Sequence, residues 1–128
     1  MRKIPQSIMP QYNLASEKDP YIRHCYKIGQ FAEMFNLSTA TFRNWIVNGY
    51  IPETPIILEV DNRMIKGIRL YIIEQFEAVH FALIKYPKFI PRNKHYVYNY
   101  VLEKWREFPY FKQFKLEDFR YTGLSNKH

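Results

Sequence analysis

The sequence predicts a mainly α fold with a small β-hairpin wing: a winged helix-turn-helix plus a C-terminal helical extension. Three observations carry this reading. Two apolar stripes at helical spacing meet at Asn36-Leu37-Ser38. An apolar, β-branched run, Ile56 to Val60, is followed by the turn residues Asp61-Asn62-Arg63 and a return strand between Met64 and Tyr71. Past Pro87, another helical stripe extends from Asn93 to Pro109.

In the first helix Ile28, Phe31, Ala32 and Phe35 recur at i, i+3, i+4 and i+7, the spacing of one buried face. It ends near Phe35, because Asn36 favours a C-cap and Ser38 favours the next N-cap. Ser38 can accept a hydrogen bond from the amide of Ala40 or Thr41 and so start a second helix, Thr39 to Val47, that buries Phe42, Trp45 and Ile46. Gly49 supplies the left-handed position after it, and Pro52 prevents continuation. Two short helices joined by about three residues place the second in a DNA major groove.

The polar face of that second helix holds Thr39, Thr41, Arg43 and Asn44. Thr hydroxyls bond phosphates, Arg reads guanine or clamps phosphate, and Asn reads adenine. Ordinary polar surface is the alternative reading. A hairpin that directly follows such a helix is a wing, with Arg63 and Lys66 near its tip and Arg69 on its return. Ile72, Ile73, Phe76, Val79, His80 and Leu83 predict a third helix ending near Tyr86, before Pro87.

These residues carry a resemblance. Tyr26-Lys27-Ile28-Gly29-Gln30-Phe31-Ala32 resembles the opening of the MerR-type winged-helix domain. Leu37-Ser38 followed by Thr41-Phe42-Arg43-Asn44-Trp45 resembles its recognition helix. Asn48-Gly49-Tyr50-Ile51-Pro52 is similar to the exit from that helix, and Gly67-Ile68-Arg69-Leu70-Tyr71 to the end of its wing. The resemblance covers residues 26 to about 83. It implies binding to double-stranded DNA, with Ser38, Thr39, Thr41, Arg43 and Asn44 on the recognition helix and Arg63, Lys66 and Arg69 on the wing. The superfamily includes metal- and drug-responsive transcription regulators, phage excisionases and small terminase subunits. Its metal-sensing members carry cysteines beyond the DNA-binding domain. This chain has none there, so metal sensing is not carried over.

Composition sets bounds. The 128 residues fit one domain plus an appendage, and 47% hydrophobic residues, 18% of the chain being aromatic, suffice for a core. A mean hydropathy of −0.42 and the lack of a long apolar run exclude a transmembrane helix. No apolar signal core follows Arg2 and Lys3, and a single cysteine, Cys25, fits a reducing compartment; the expectation is a cytoplasmic protein. The net charge of +7 favours an acidic partner such as nucleic acid. It is unevenly spread: +3 over residues 1–27, −1 over 28–86 and +5 over 87–128. Four of the five cations in the middle segment, Arg43, Arg63, Lys66 and Arg69, nonetheless fall where DNA would lie, and its acids mostly on the first and third helices and the wing base.

Outside the winged segment, residues 1–25, with Pro5, Pro10 and Pro20, read as a partly disordered arm. The winged domain spans 26–86, and residues 87–128 form a basic, aromatic-rich helical extension. Lys88 and Arg92 lie on a proline-broken connector that either reaches the DNA backbone or is simply solvated. Val97, Val101, Trp105 and Phe108 then mark a fourth helix. It is too short for the long dimerising coiled coil of MerR-type regulators, and packs either on its own domain or on a second copy. Tyr110, Phe111, Phe114, Phe119 and Tyr121, interleaved with Lys112, Lys115 and Arg120, fill a core or interface rather than stack on single strands.

No catalytic constellation, metal-ligand spacing or phosphate-binding glycine loop occurs, so neither an enzyme nor a cofactor is expected. One copy reads only a few base pairs, so a homo-oligomer, dimer or higher, is expected. Three jobs remain open: transcription regulation, phage or mobile-element DNA handling of the excisionase or small-terminase kind, and a winged-helix protein-interaction module.

Overall fold

Side chains that reach back to their own backbone start four of the helical segments. In a computed structural model describing residues 25–58 and 68–121, the side chains of Gln30, Gln75, Asn93 and Asp118 each accept the amide three residues earlier, at 3.1, 2.8, 3.1 and 2.8 Å. Each bond satisfies an amide that the helix itself leaves unpaired. Residues 1–24 of the arm expected over 1–25, and the wing tip with Arg63 and Lys66, lie outside the described residues, while Cys25 at the end of that arm is buried in the core.

The described chain is mainly helical with one two-stranded antiparallel pair. Its elements run α1 (Ile28–Glu33), α2 (Thr39–Val47), β1 (Ile56–Leu58), β2 (Ile68–Leu70), α3 (Ile73–Lys85) and α4 (Lys94–Glu107). Short 3-10 turns at Pro91–Asn93, Pro109–Gln113 and Leu116–Phe119 flank α4.

The turn between α1 and α2 follows the local chemistry. Asn36 adopts φ 58°, one of few residue types that tolerate the left-handed region. Ser38 then caps α2, its Oγ accepting the Thr41 amide at 3.1 Å. After α2, Gly49 takes φ 83° and the chain turns toward the strands.

The strands pair with Ile56 opposite Leu70, Ile57 opposite Arg69 and Leu58 opposite Ile68. Tyr26 extends the pair on the other side of the return strand, exchanging both backbone hydrogen bonds with Tyr71 at 2.7 and 2.8 Å. The hairpin base is thereby stitched to the residues that lead into α1.

Aromatic packing organises the core. The Phe31 ring stacks on Tyr71 at 4.5 Å and meets Phe42 and Phe76 edge-on. Leu70, Val79 and Ala82 are fully buried beside this cluster. Trp45, expected inside with Phe42 and Ile46, is only half-buried; it lies at the edge of the core, where Phe89 of the connector packs on it at 4.7 Å.

Of the two packings open to the fourth helix, the structure takes the first. α4 lies against α3, and Val97, Val101 and Trp105 enter the same core as Phe31. Phe111 and Phe119 follow them in, and the Phe119 carbonyl accepts the Glu53 amide at 2.9 Å. Tyr110, Phe114 and Tyr121 pack partly buried against that core, so the chain-end aromatics take one of the two roles, core or interface, expected of them.

Candidate nucleic-acid interface

α2 presents its polar face next to the hairpin base. Ser38 is exposed, and its Oγ also shares a hydrogen bond with Thr41 Oγ1 at 2.9 Å. Thr39 is half-buried against α1: a Cβ on Gly29 would stand 3.2 Å from Thr39 Oγ1. Gly29 therefore permits the close approach of the two helices, and Thr39 contributes packing alongside any polar contact. Arg43 and Asn44, one and two positions on from the buried Phe42, are exposed.

Arg43 and Arg69 line one cleft of about 490 Å³, together with Lys27, Ile28, Ile46, Glu53, Ile68, Tyr71 and Tyr121. The register places Arg69 opposite Ile57 on the return strand. Its Nη1 donates to the Thr54 carbonyl at 2.8 Å, so the guanidinium ties the strand to the segment that enters the hairpin. Two of the expected contact residues, from α2 and from the hairpin, are thus brought together.

Glu53 belongs to the same cleft, although its sequence position suggested only an acid at the hairpin base. Its Oε1 accepts the Thr54 amide at 2.9 Å and the Tyr71 hydroxyl at 3.3 Å. Burial pushes the Glu53 carboxyl above its usual range, against the pull of Arg69, these two hydrogen bonds and Arg43. Burial first, and then the neighbouring Glu53 carboxylate, hold the Tyr71 phenol well above its ordinary value.

Behind this cleft lies a buried polar knot. Thr54 Oγ1 donates to the Leu70 carbonyl and accepts from Gln75 Nε2 at 3.0 Å and from the Ile56 amide at 3.3 Å. These bonds lock the hairpin base to α3.

The connector runs beside the C-terminal end of α2. Phe89 stacks on Tyr50 at 5.8 Å, and Lys94 Nζ stands 5.4 Å from the same Tyr50 ring. Lys88 and Arg92, on either side of Phe89, are exposed. The Lys88 carbonyl is held by Asn93 Nδ2 at 2.9 Å. Phe89 thus ties the connector that carries both expected cations to the exit of α2.

Three charged residues were not among the expected contact residues: Lys27, Glu53 and Lys94. The single signal for them is adjacency, since Lys27 precedes α1, Glu53 follows Pro52 and Lys94 begins α4. Among the described residues no cluster of three or more His, Cys, Asp or Glu side chains is placed to hold a metal ion, and no helix is long and apolar enough to cross a membrane. In comparisons with known proteins, no family model, no curated protein and no solved structure matches this chain.

Proposed function

We propose that this chain is a double-stranded DNA-binding protein with a winged helix-turn-helix, a transcription regulator that reads a short site. In this reading α2 enters the major groove. Arg43 and Asn44 approach base edges, Ser38, Thr39 and Thr41 meet phosphates, and the hairpin with Arg63, Lys66 and Arg69 serves as the wing. Lys88 and Arg92 add backbone contacts. The reading includes a homo-oligomer, a cytoplasmic location and no catalytic role.

The observation that carries it is the placement of Arg43 on a Ser38-capped helix beside Arg69 on the adjoining hairpin, in one cleft. The test is selection from a pool of random duplex DNA at two salt concentrations. Enrichment of a short motif that survives the higher salt supports specific recognition. Binding without enrichment that vanishes with salt removes it, because backbone attraction alone is lost as counterions compete.

One observation favours a second reading, a phage or mobile-element DNA-handling factor of the excisionase or small-terminase kind. α4 packs on its own domain, whereas MerR-type regulators project a long helix for dimerisation. Subunit number separates the two: a dimer favours the regulator, a ring of many copies the packaging factor. The third reading, a protein-interaction module, draws on the exposed Phe81 and Ile84 of α3.

A further inference from the structure

We propose that the cleft between α1, α2 and the hairpin base binds a small organic anion: a sulfonate, carboxylate or phosphate group carried on an apolar body. Its volume of about 490 Å³ falls within the range of small-ligand sites, roughly 300–1,000 Å³. Three cations, Lys27, Arg43 and Arg69, line it with one carboxylate, Glu53, which leaves net positive charge in a concave space. Between the charges the walls are isoleucine side chains and the Tyr71 ring. Apolar walls beside the charges match an aromatic or aliphatic body better than a bare ion, and an occupant that covers them strengthens the ion pairs it forms by displacing water.

The charged groups are pre-positioned. One of the five N–H donors of Arg69 is fixed on the Thr54 carbonyl, which orients the guanidinium within the cleft. Glu53 directs Oε1 to the Thr54 amide and the Tyr71 hydroxyl. An anion then meets guanidinium and ammonium groups on rigid elements, which lowers the entropy lost on binding. Because Arg43 also belongs to the proposed DNA surface, an occupant competes with DNA. That consequence rests on the DNA reading, whereas binding to the cleft does not.

The titratable and charged groups that share the cleft with Glu53 are Arg43 from α2, Arg69 and Tyr71 from the return strand and its end, Lys27 ahead of α1 and Tyr121 from the segment after Phe119. Protonating Glu53 removes the one negative charge that an anion meets, so binding strengthens as pH falls.

The experiment titrates the full chain with benzenesulfonate, whose charge is fixed at every working pH. Methanesulfonate at matched ionic strength is the comparison, and the thermal midpoint is the readout. The expected result is a saturable rise with benzenesulfonate that exceeds the rise with methanesulfonate. Arg43→Gln should weaken it about tenfold. The wild type should bind more tightly as pH falls, and Glu53→Gln should flatten that trend. Equal rises with the two sulfonates, or an unchanged affinity in Arg43→Gln, would overturn the proposal. A parallel arm with duplex DNA separates the readings. DNA binding without benzenesulfonate binding removes this site alone, and benzenesulfonate binding without DNA binding removes the DNA reading alone.

Discussion

The indole Nε1 of Trp105 donates to the backbone carbonyl of Gln75 at 3.2 Å, across a sequence separation of 30 residues. Gln75 in turn grips the hairpin base through Thr54. A side chain from α4 is therefore one hydrogen bond removed from the polar knot behind the cleft. Trp105 is also fully buried, so it carries packing as well as this bond. Trp105→Phe should destabilise the protein by about 1–2 kcal/mol through the lost bond and the smaller ring. Trp105→Ala should cost about 3–5 kcal/mol. Urea unfolding measures both, and a Trp105→Ala loss under about 1 kcal/mol would mean that α4 is not integral to the core.

Thr54 satisfies three groups with one hydroxyl, all of them buried. Thr54→Val keeps the shape and removes that hydroxyl. The Leu70 carbonyl, the Ile56 amide and the Gln75 side chain then lose a partner. A loss of about 1–3 kcal/mol is expected, and Thr54→Ser should recover a large part of it. Equal losses in the two variants would mean that the methyl group removed in Thr54→Ser contributes as much as the hydroxyl removed in Thr54→Val.

Glu53 links stability to pH. Its folded-state carboxyl titrates above the usual range because of burial, so the folded state holds the proton more tightly than the unfolded chain does. The resulting stabilisation is fully present below the ordinary Glu range and is lost as pH rises through the raised value. Glu53→Gln has no such titration, and its amide oxygen still accepts from Thr54 and Tyr71. The variant should therefore gain on the wild type as pH increases from about 4 to 7. Urea midpoints for the two proteins at several pH values provide the check, and parallel curves would contradict it.

Gly49 is required for its backbone rather than for space. A Cβ there meets Lys94 Cδ at an ordinary 3.7 Å, but φ is 83°. Gly49→Ala should cost about 1–2 kcal/mol from left-handed strain alone, and Gly49→Asn less. Thermal unfolding of the pair should rank them in that order. A neutral Gly49→Ala would mean that the turn after α2 relaxes to negative φ.

Arg43 separates binding from stability. It is exposed, so Arg43→Ala should leave the unfolding midpoint nearly unchanged. On the proposed DNA surface the same change should weaken binding by about 1–3 kcal/mol and relax sequence preference at one position. Arg69→Ala should instead affect both, because Arg69 also holds the Thr54 carbonyl. Fluorescence anisotropy with the selected duplex, paired with urea unfolding, distinguishes the two arginines. An Arg43→Ala protein with full affinity and unchanged preference would remove α2 from the interface.

Local chemistry was legible in the sequence. The Ser38 cap, the end of the first helix near Asn36, the left-handed Gly49, the limits of the helices at proline and the onset of the hairpin strands all rest on interactions within about four residues. Apolar spacing likewise marked Phe31, Phe42, Ile46, Val97 and Val101 as core positions, because helical periodicity reports one face without reference to its partner. Tertiary structure alone decided the rest. It chose α3 as the surface for α4, brought Phe119 to the Glu53 amide, laid Phe89 over Trp45, and gathered Lys27, Arg43, Glu53 and Arg69 around one cleft. Those pairings join residues many turns apart. Periodicity identifies a face to be covered, but what covers it depends on how all the elements close together over a shared core.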